Sequence, residues 1–251
     1  MPLSELDLLA LWTAGELQHP IDRALSALAT SGRTTRGRVA DLPLGERDRR
    51  LLGVCHELAG RRIAAIARCP ACGEANELGW NTDELGAALG DGGGGGGGDG
   101  GGGDGGELVV EHGAVTVRCR QPTSRDLAAA AEAGSEAEAR RRLLRAAVIE
   151  ARDGDGPLAA DALADDVVAR IEDRLAEMSP PAEIVFAITC AACGQPWSAP
   201  FDPGETVWTA IDVAARRTMD TVAELARAYG WTEADVLALP PARRRYYLER
   251  A

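Results

Sequence analysis

Cys69-Pro70-Ala71-Cys72-Gly73 and Cys190-Ala191-Ala192-Cys193-Gly194 are the two stretches on which the reading of this chain turns. Each is a Cys-x-x-Cys followed by glycine. A tight turn lets two thiolates point at one ion, and the glycine relieves the backbone as it folds back. One such knuckle supplies two ligands, whereas a closed structural zinc site takes four in a tetrahedron with Zn–S bonds of about 2.3 Å. The economical arrangement has both knuckles sharing one zinc per chain, held by Cys69, Cys72, Cys190 and Cys193, with the sulfurs gathered within roughly 4 Å of each other. Strand-like sequence flanks both: 61–68 leads in and 74–80 leads out of the first, 183–189 and 195–201 do the same for the second. Each knuckle is therefore expected at the tip of a β-hairpin. The alternatives are a ribbon that no longer holds metal and a set of disulfides.

Composition narrows the choice. The six cysteines include Cys55, read as a core residue of a helix, and Cys119, read as a strand residue. The N-terminus, Met1 to Ala14, carries acids and no basic n-region, and no apolar run reaches membrane-spanning length. The expectation is a cytoplasmic protein without a membrane span, where cysteine pairs bind metal more often than they form disulfides. All 27 basic residues are arginine and the net charge is −12, a balance opposed to broad nucleic-acid binding.

The remainder reads as an α+β chain, mostly helical, with β-hairpins forming a split four-cysteine zinc ribbon and a long C-terminal helix. Segment 1–60 is helical. Ser4 with Asp7 caps a first helix, Pro20 opens a second and Leu44 a third, with 31–41 a polar connection and Glu46 to Arg50 facing water. Segment 61–89 holds the first knuckle hairpin, with one or two helical turns over 82–89. Segment 90–106, nearly all glycine, reads as a flexible insertion without a binding role. Segment 107–179 begins with a hairpin turning at His112-Gly113. Helices follow at 123–133, 135–151 and 165–178, and Arg140 to Arg142 form a solvated face. Pro180-Pro181 stops the last of these. Segment 180–202 holds the second knuckle, and 203–251 the long helix to Gly230 and two short ones. The long helix carries an apolar stripe of helical period at Trp208, Ile211, Ala215, Val222, Leu225, Ala226 and Tyr229.

Several of these stretches carry a family likeness. They are 6–12, 19–25 with His19-Pro20-Ile21, 42–48, both knuckles, and above all 229–240 followed by Arg243-Arg244-Arg245-Tyr246-Tyr247-Leu248. Together they resemble a family encoded with contractile phage tails of the T-even type and with related phage-tail-like injection systems. Its members are described as baseplate, baseplate-hub or baseplate-assembly proteins. The resemblance covers most of the chain except the glycine run. It implies a structural or assembly role, no catalysis, other baseplate or tail proteins as partners, and incorporation into a tail-like particle.

Two other classes compete with this reading. A zinc-ribbon nucleic-acid-binding regulator is the alternative function. Near the first knuckle, however, only Arg61, Arg62 and Arg68 are basic, and none near the second before Arg216. An enzyme acting on a small-molecule substrate would need a constellation that His19, His56 and His112, far apart in sequence, do not make. The partner surface is placed at Trp231, Arg243, Arg244, Arg245, Tyr246 and Tyr247, because aromatics and arginines concentrate at interface hot spots and arginine pairs bidentately with carboxylates. The competing expectation is a terminal helix packed on its own core through Tyr246 and Leu248, with its arginines in water.

Overall fold

The computed structural model describes residues 3–82, 85, 107–178 and 185–251. Four helices open the chain: α1 (Glu5–Gly15), α2 (Pro20–Ser31), α3 (Arg36–Ala40) and α4 (Leu44–Ala59). A hairpin follows, β1 (Arg62–Arg68) and β2 (Ala75–Asn81). The middle of the chain contains β3 (Leu108–His112), β4 (Val115–Cys119), α5 (Ser124–Ala131), α6 (Glu136–Ala147), β5 (Val148–Asp153), β6 (Gly156–Pro157) and α7 (Asp165–Met178). The second hairpin, β7 (Val185–Thr189) and β8 (Pro196–Pro200), leads into α8 (Pro203–Tyr229), α9 (Glu233–Ala238) and α10 (Pro241–Leu248). The architecture is α+β: helices with small antiparallel sheets, two of them the isolated hairpins β1–β2 and β7–β8. The expected 90–106 insertion, most of the 82–89 turns, Pro180-Pro181 and the strand start at Glu183 lie outside the described residues.

Local chemistry sets the helix ends. Ser4 and Asp7 form a reciprocal capping box at the start of α1, and Thr232 with Asp235 do the same for α9. The Asp202 side chain accepts from the Gly204 and Glu205 N–H groups to start α8, and Gly230, at φ 70°, ends it in the left-handed conformation.

Two cores result. The larger joins α1, α2, α4 and α8 with both hairpins: Leu25, Leu28, Leu51, Leu52, Val207 and Ile211 share it with Ile63 and Phe201. Helix α8 is its spine and packs on α1, α2 and α4. The approach of α1 to α8 is close: a Cβ on Gly15 would lie 2.3 Å from the Trp208 ring. Arg23 lies over the same ring at 4.4 Å and donates to the Gly15 carbonyl at 2.7 Å. Segments 3–60, 61–82, 185–202 and 203–251 thus share one body. The second core lies within 107–178, where α7 covers one face of the β3-β4-β5-β6 sheet through Val110, Val117, Ala151, Val167 and Ile171. The two meet where Leu44 N–H donates to the Pro122 carbonyl and Arg125 pairs with Asp41.

Three local expectations are corrected. The polar connection 31–41 contains α3, capped by Thr35 and burying Val39 and Ala40. Residues 148–151 are strand, because the free edge of β4 is present to pair with Val148 to Asp153 and that ladder overrides the helical period. Arg47 and Asp48 do not face water: both are buried and paired at 2.6 Å. Burial pushes the Asp48 carboxyl above the usual range, with the Arg47 guanidinium pulling the other way.

Candidate metal centre

The hairpin tips meet. Cys69 Sγ lies 3.7 Å from Cys193 Sγ, and Cys72 Sγ lies 3.7 Å from Cys190 Sγ. All four sulfurs lie within 4.8 Å of one another. A tetrahedron with 2.3 Å bonds requires sulfur separations of about 3.8 Å. Disulfide sulfurs sit about 2.05 Å apart. All four cysteines are free thiols, so the arrangement is not a pair of disulfides and the four sulfurs are close enough to hold one metal ion.

Each knuckle is built the same way. Gly73 N–H donates to the Cys69 carbonyl and Gly194 N–H to the Cys190 carbonyl, both at 2.9 Å. Gly73 and Gly194 stand at φ 74° and 73°, a region that side chains disfavour, which is why glycine follows each Cys-x-x-Cys. Cys69 N–H reaches the Glu74 carbonyl and Cys190 N–H the Gln195 carbonyl, closing the hairpins. The first cysteine of each knuckle is buried and the second exposed. Exchanging the two knuckles carries the Cys69–Cys193 contact onto Cys190–Cys72, so the cluster has approximate two-fold symmetry.

That symmetry breaks one layer out. Asn76, buried on β2, accepts from Ala191 N–H at 3.0 Å and directs its amide toward Cys190 Sγ at 3.7 Å. It also donates to the Glu74 carbonyl, so one side chain clasps both knuckles. The equivalent of Ala191 in the first knuckle is Pro70, which has no N–H to give, and the equivalent of Asn76 is Trp197. Sequence reasoning missed Asn76, since nothing in its local pattern marks it. Below the cluster Trp80 stacks on Phe186 at 4.3 Å, and Phe201 meets both edge-on at 5.8 Å. These rings lock the two hairpins together.

The electrostatics favour thiolate at one corner first. Cys193 N–H, then Ala192 N–H and the Asn76 amide, hold the Cys190 thiol down to about 6 despite its burial. At Cys72 the Glu74 N–H lowers the thiol, but the Cys193 thiol beside it, partial desolvation and the other sulfurs outweigh that and push it up to about 12. A divalent cation would draw all four toward thiolate, so metal binding would release protons. The chemistry of the donor set fits a soft or borderline metal held by sulfur alone.

The expected partner residues are only partly brought together. Trp231 stacks on Tyr229 at 4.8 Å and meets Tyr247 edge-on at 4.9 Å, and Tyr246 lies against Tyr247 at 5.6 Å. The arginine run does not present as a unit. Arg243 and Arg245 are exposed, but Arg244 is buried and pairs with Glu5 of α1. Arg250, outside the run, lies 3.7 Å over the Tyr246 ring. The reason is helical geometry: neighbouring residues point about 100° apart, so three consecutive arginines cannot share a face. Among the described residues, no helix is long and apolar enough to cross a membrane. Comparison with family models, with curated proteins and with solved structures finds no match to this chain.

Proposed function

We propose that this chain is a non-enzymatic structural or assembly protein of a contractile, phage-tail-like baseplate, and that its four-cysteine cluster holds one structural zinc. The observation that carries the zinc assignment is the cluster itself, in which sulfurs 124 and 118 residues apart in sequence sit at tetrahedral spacing. Four thiolates fill a tetrahedral ion and leave no position for water or substrate, so the metal's role is to hold the hairpins together and not to catalyse. The baseplate assignment rests on the resemblance of 6–12, 19–25, 42–48, the knuckles and 229–248 to that family. The exposed aromatics Tyr229, at the end of α8, and Tyr246, on α10, fit a role in contacting other baseplate proteins.

Two measurements test this reading. Elemental analysis of the purified chain should return one zinc per molecule, and none in a Cys69→Ser/Cys190→Ser double variant. Mass spectrometry of the purified injection particle, and of its assembly intermediates, should find the chain in one or both. Absence from both would overturn the assembly role and leave the zinc assignment standing.

A further inference from the structure

A groove of about 410 Å³ runs beside the metal centre between the two hairpins. Glu74, Ala75, Asn76, Glu77 and Leu78 of the β2 side line it, facing Ile188, Thr189, Ala191 and Ala192. Successive strand residues point to opposite faces of a sheet. Five in a row line one groove only if its wall is the edge of the strand.

The hydrogen-bond register says what that edge offers. Cys69 N–H bonds the Glu74 carbonyl and Thr82 N–H bonds the Arg61 carbonyl. With the pairing of Ile66 to Glu77 and Ala67 to Asn76, this makes 74, 76, 78, 80 and 82 the positions whose backbone groups face β1. The N–H and C=O groups of Ala75, Glu77 and Gly79 therefore point outward, the first two along the groove. Cys190 N–H bonds the Gln195 carbonyl in the second hairpin, which by the same alternation turns Val185, Ala187 and Thr189 outward on β7.

The chain treats its edges unequally. The outward positions of β8 are 196, 198 and 200, and two of them, Pro196 and Pro200, are prolines without an N–H to offer. The outer edge of β1 is flanked by Arg62 and Arg68, both exposed. Proline and charge are the usual guards of a strand edge. The outward positions of β2 carry no proline and a single charge, that of Glu77, which is acidic and would attract a basic strand; those of β7, Val185, Ala187 and Thr189, offer no charge at all. Glu74 and Glu77 on its rim are exposed, and neither carboxylate has an ion-pair partner among the described residues.

We propose that the edge of β2 over Ala75 to Gly79, unpaired among the described residues, binds an extended, basic segment of a partner protein as an added strand. The Ala75, Glu77 and Gly79 backbone groups would pair with it, Glu74 and Glu77 would meet its arginine or lysine side chains, and small apolar residues would lie over Leu78, Ile188 and Ala191. Main-chain pairing supplies affinity in such complexes, and the flanking side chains supply selectivity. The proposal does not depend on the baseplate reading.

A fluorescent alternating arginine–valine octapeptide, added to the full-length metal-loaded protein, tests it by anisotropy and by residue-resolved amide exchange. Saturable binding is expected, with new protection at the amides of Ala75, Glu77 and Gly79. Methylating alternate peptide nitrogens should weaken binding at least about tenfold by removing the pairing. Glu77→Pro deletes one outward N–H without touching the β1 ladder and should do the same while retaining the metal. Should that variant not fold, Glu74→Lys/Glu77→Lys replaces it, with the preference expected to pass to an aspartate–valine peptide. No saturable binding, binding indifferent to methylation and to these substitutions, or protection confined to other residues would overturn the proposal.

Discussion

Asn76 ties one knuckle to the other without belonging to the cysteine cluster. Its carbonyl oxygen accepts from Ala191 N–H while its amide faces Cys190 Sγ. Outer-layer partners of this kind tune metal affinity by about 10–100-fold. Asn76→Ala is expected to fold, to bind one metal, and to yield it to a chromogenic chelator at a chelator concentration lower by that factor. Unchanged competition would show the clasp to be incidental. Gly15 makes a second sharp case. A methyl group there would meet the Trp208 ring at 2.3 Å, and the ring is backed by Arg23. Gly15→Ala should cost about 1–3 kcal/mol, the usual range for overpacking, read as a lower urea midpoint with unchanged slope. Both residues were opaque in the sequence, whereas the four cysteines were plain. Ligand chemistry is written locally in Cys-x-x-Cys-Gly. The role of Asn76 depends on an N–H 115 residues away, and that of Gly15 on a ring brought up by a different helix.

Helix α10 closes the chain against its beginning. Arg244, only 4% exposed, pairs with Glu5 at the first turn of α1, so one side chain ties the last helix to the first. Its neighbours Arg243 and Arg245 point to solvent. Arg244→Ala should therefore lower stability by ~2 kcal/mol, the order of a charge-assisted hydrogen bond removed from a sheltered place, while Arg243→Ala and Arg245→Ala leave it within experimental error. Equal melting curves for all three would place Arg244 in water. The elements were legible where their ends were: the capping boxes at Ser4 and Thr232, Pro203 after Asp202, and Gly230 all mark boundaries within the sequence. The strand at Val148 to Asp153 was not, since its periodicity also fits a helix and only the waiting edge of β4 decides between them. The buried Arg47–Asp48 pair was missed for a related reason, because a run of charge reads as a solvated face until another helix covers it.

The two cores stand differently to the candidate metal centre. The knuckle hairpins share the helical core through Ile63, Trp80, Phe186 and Phe201, whereas the core of 107–178 contains no residue of either hairpin. The middle body lies between the knuckles in sequence, yet among the described residues its sheet packs on α7 through residues of 107–178 alone. Metal bound only by the folded state stabilises that state, and a ligand lost from the cluster should loosen what the hairpins support before it reaches the rest. Cys190→Ser is expected to lower the main melting transition by about 10 °C, the shift that ~3 kcal/mol produces in a chain of this size. The same loss should follow from stripping the wild-type protein with a strong chelator. Amide exchange then separates the bodies. Protection should fall at β1, β2, β7, β8 and the first turns of α8, and hold at Val110, Val117 and Ile171 in the middle core. Uniform loss of protection over both would show a single cooperative unit, and no loss at the hairpins would show that Trp80, Phe186 and Phe201 hold them without the ion.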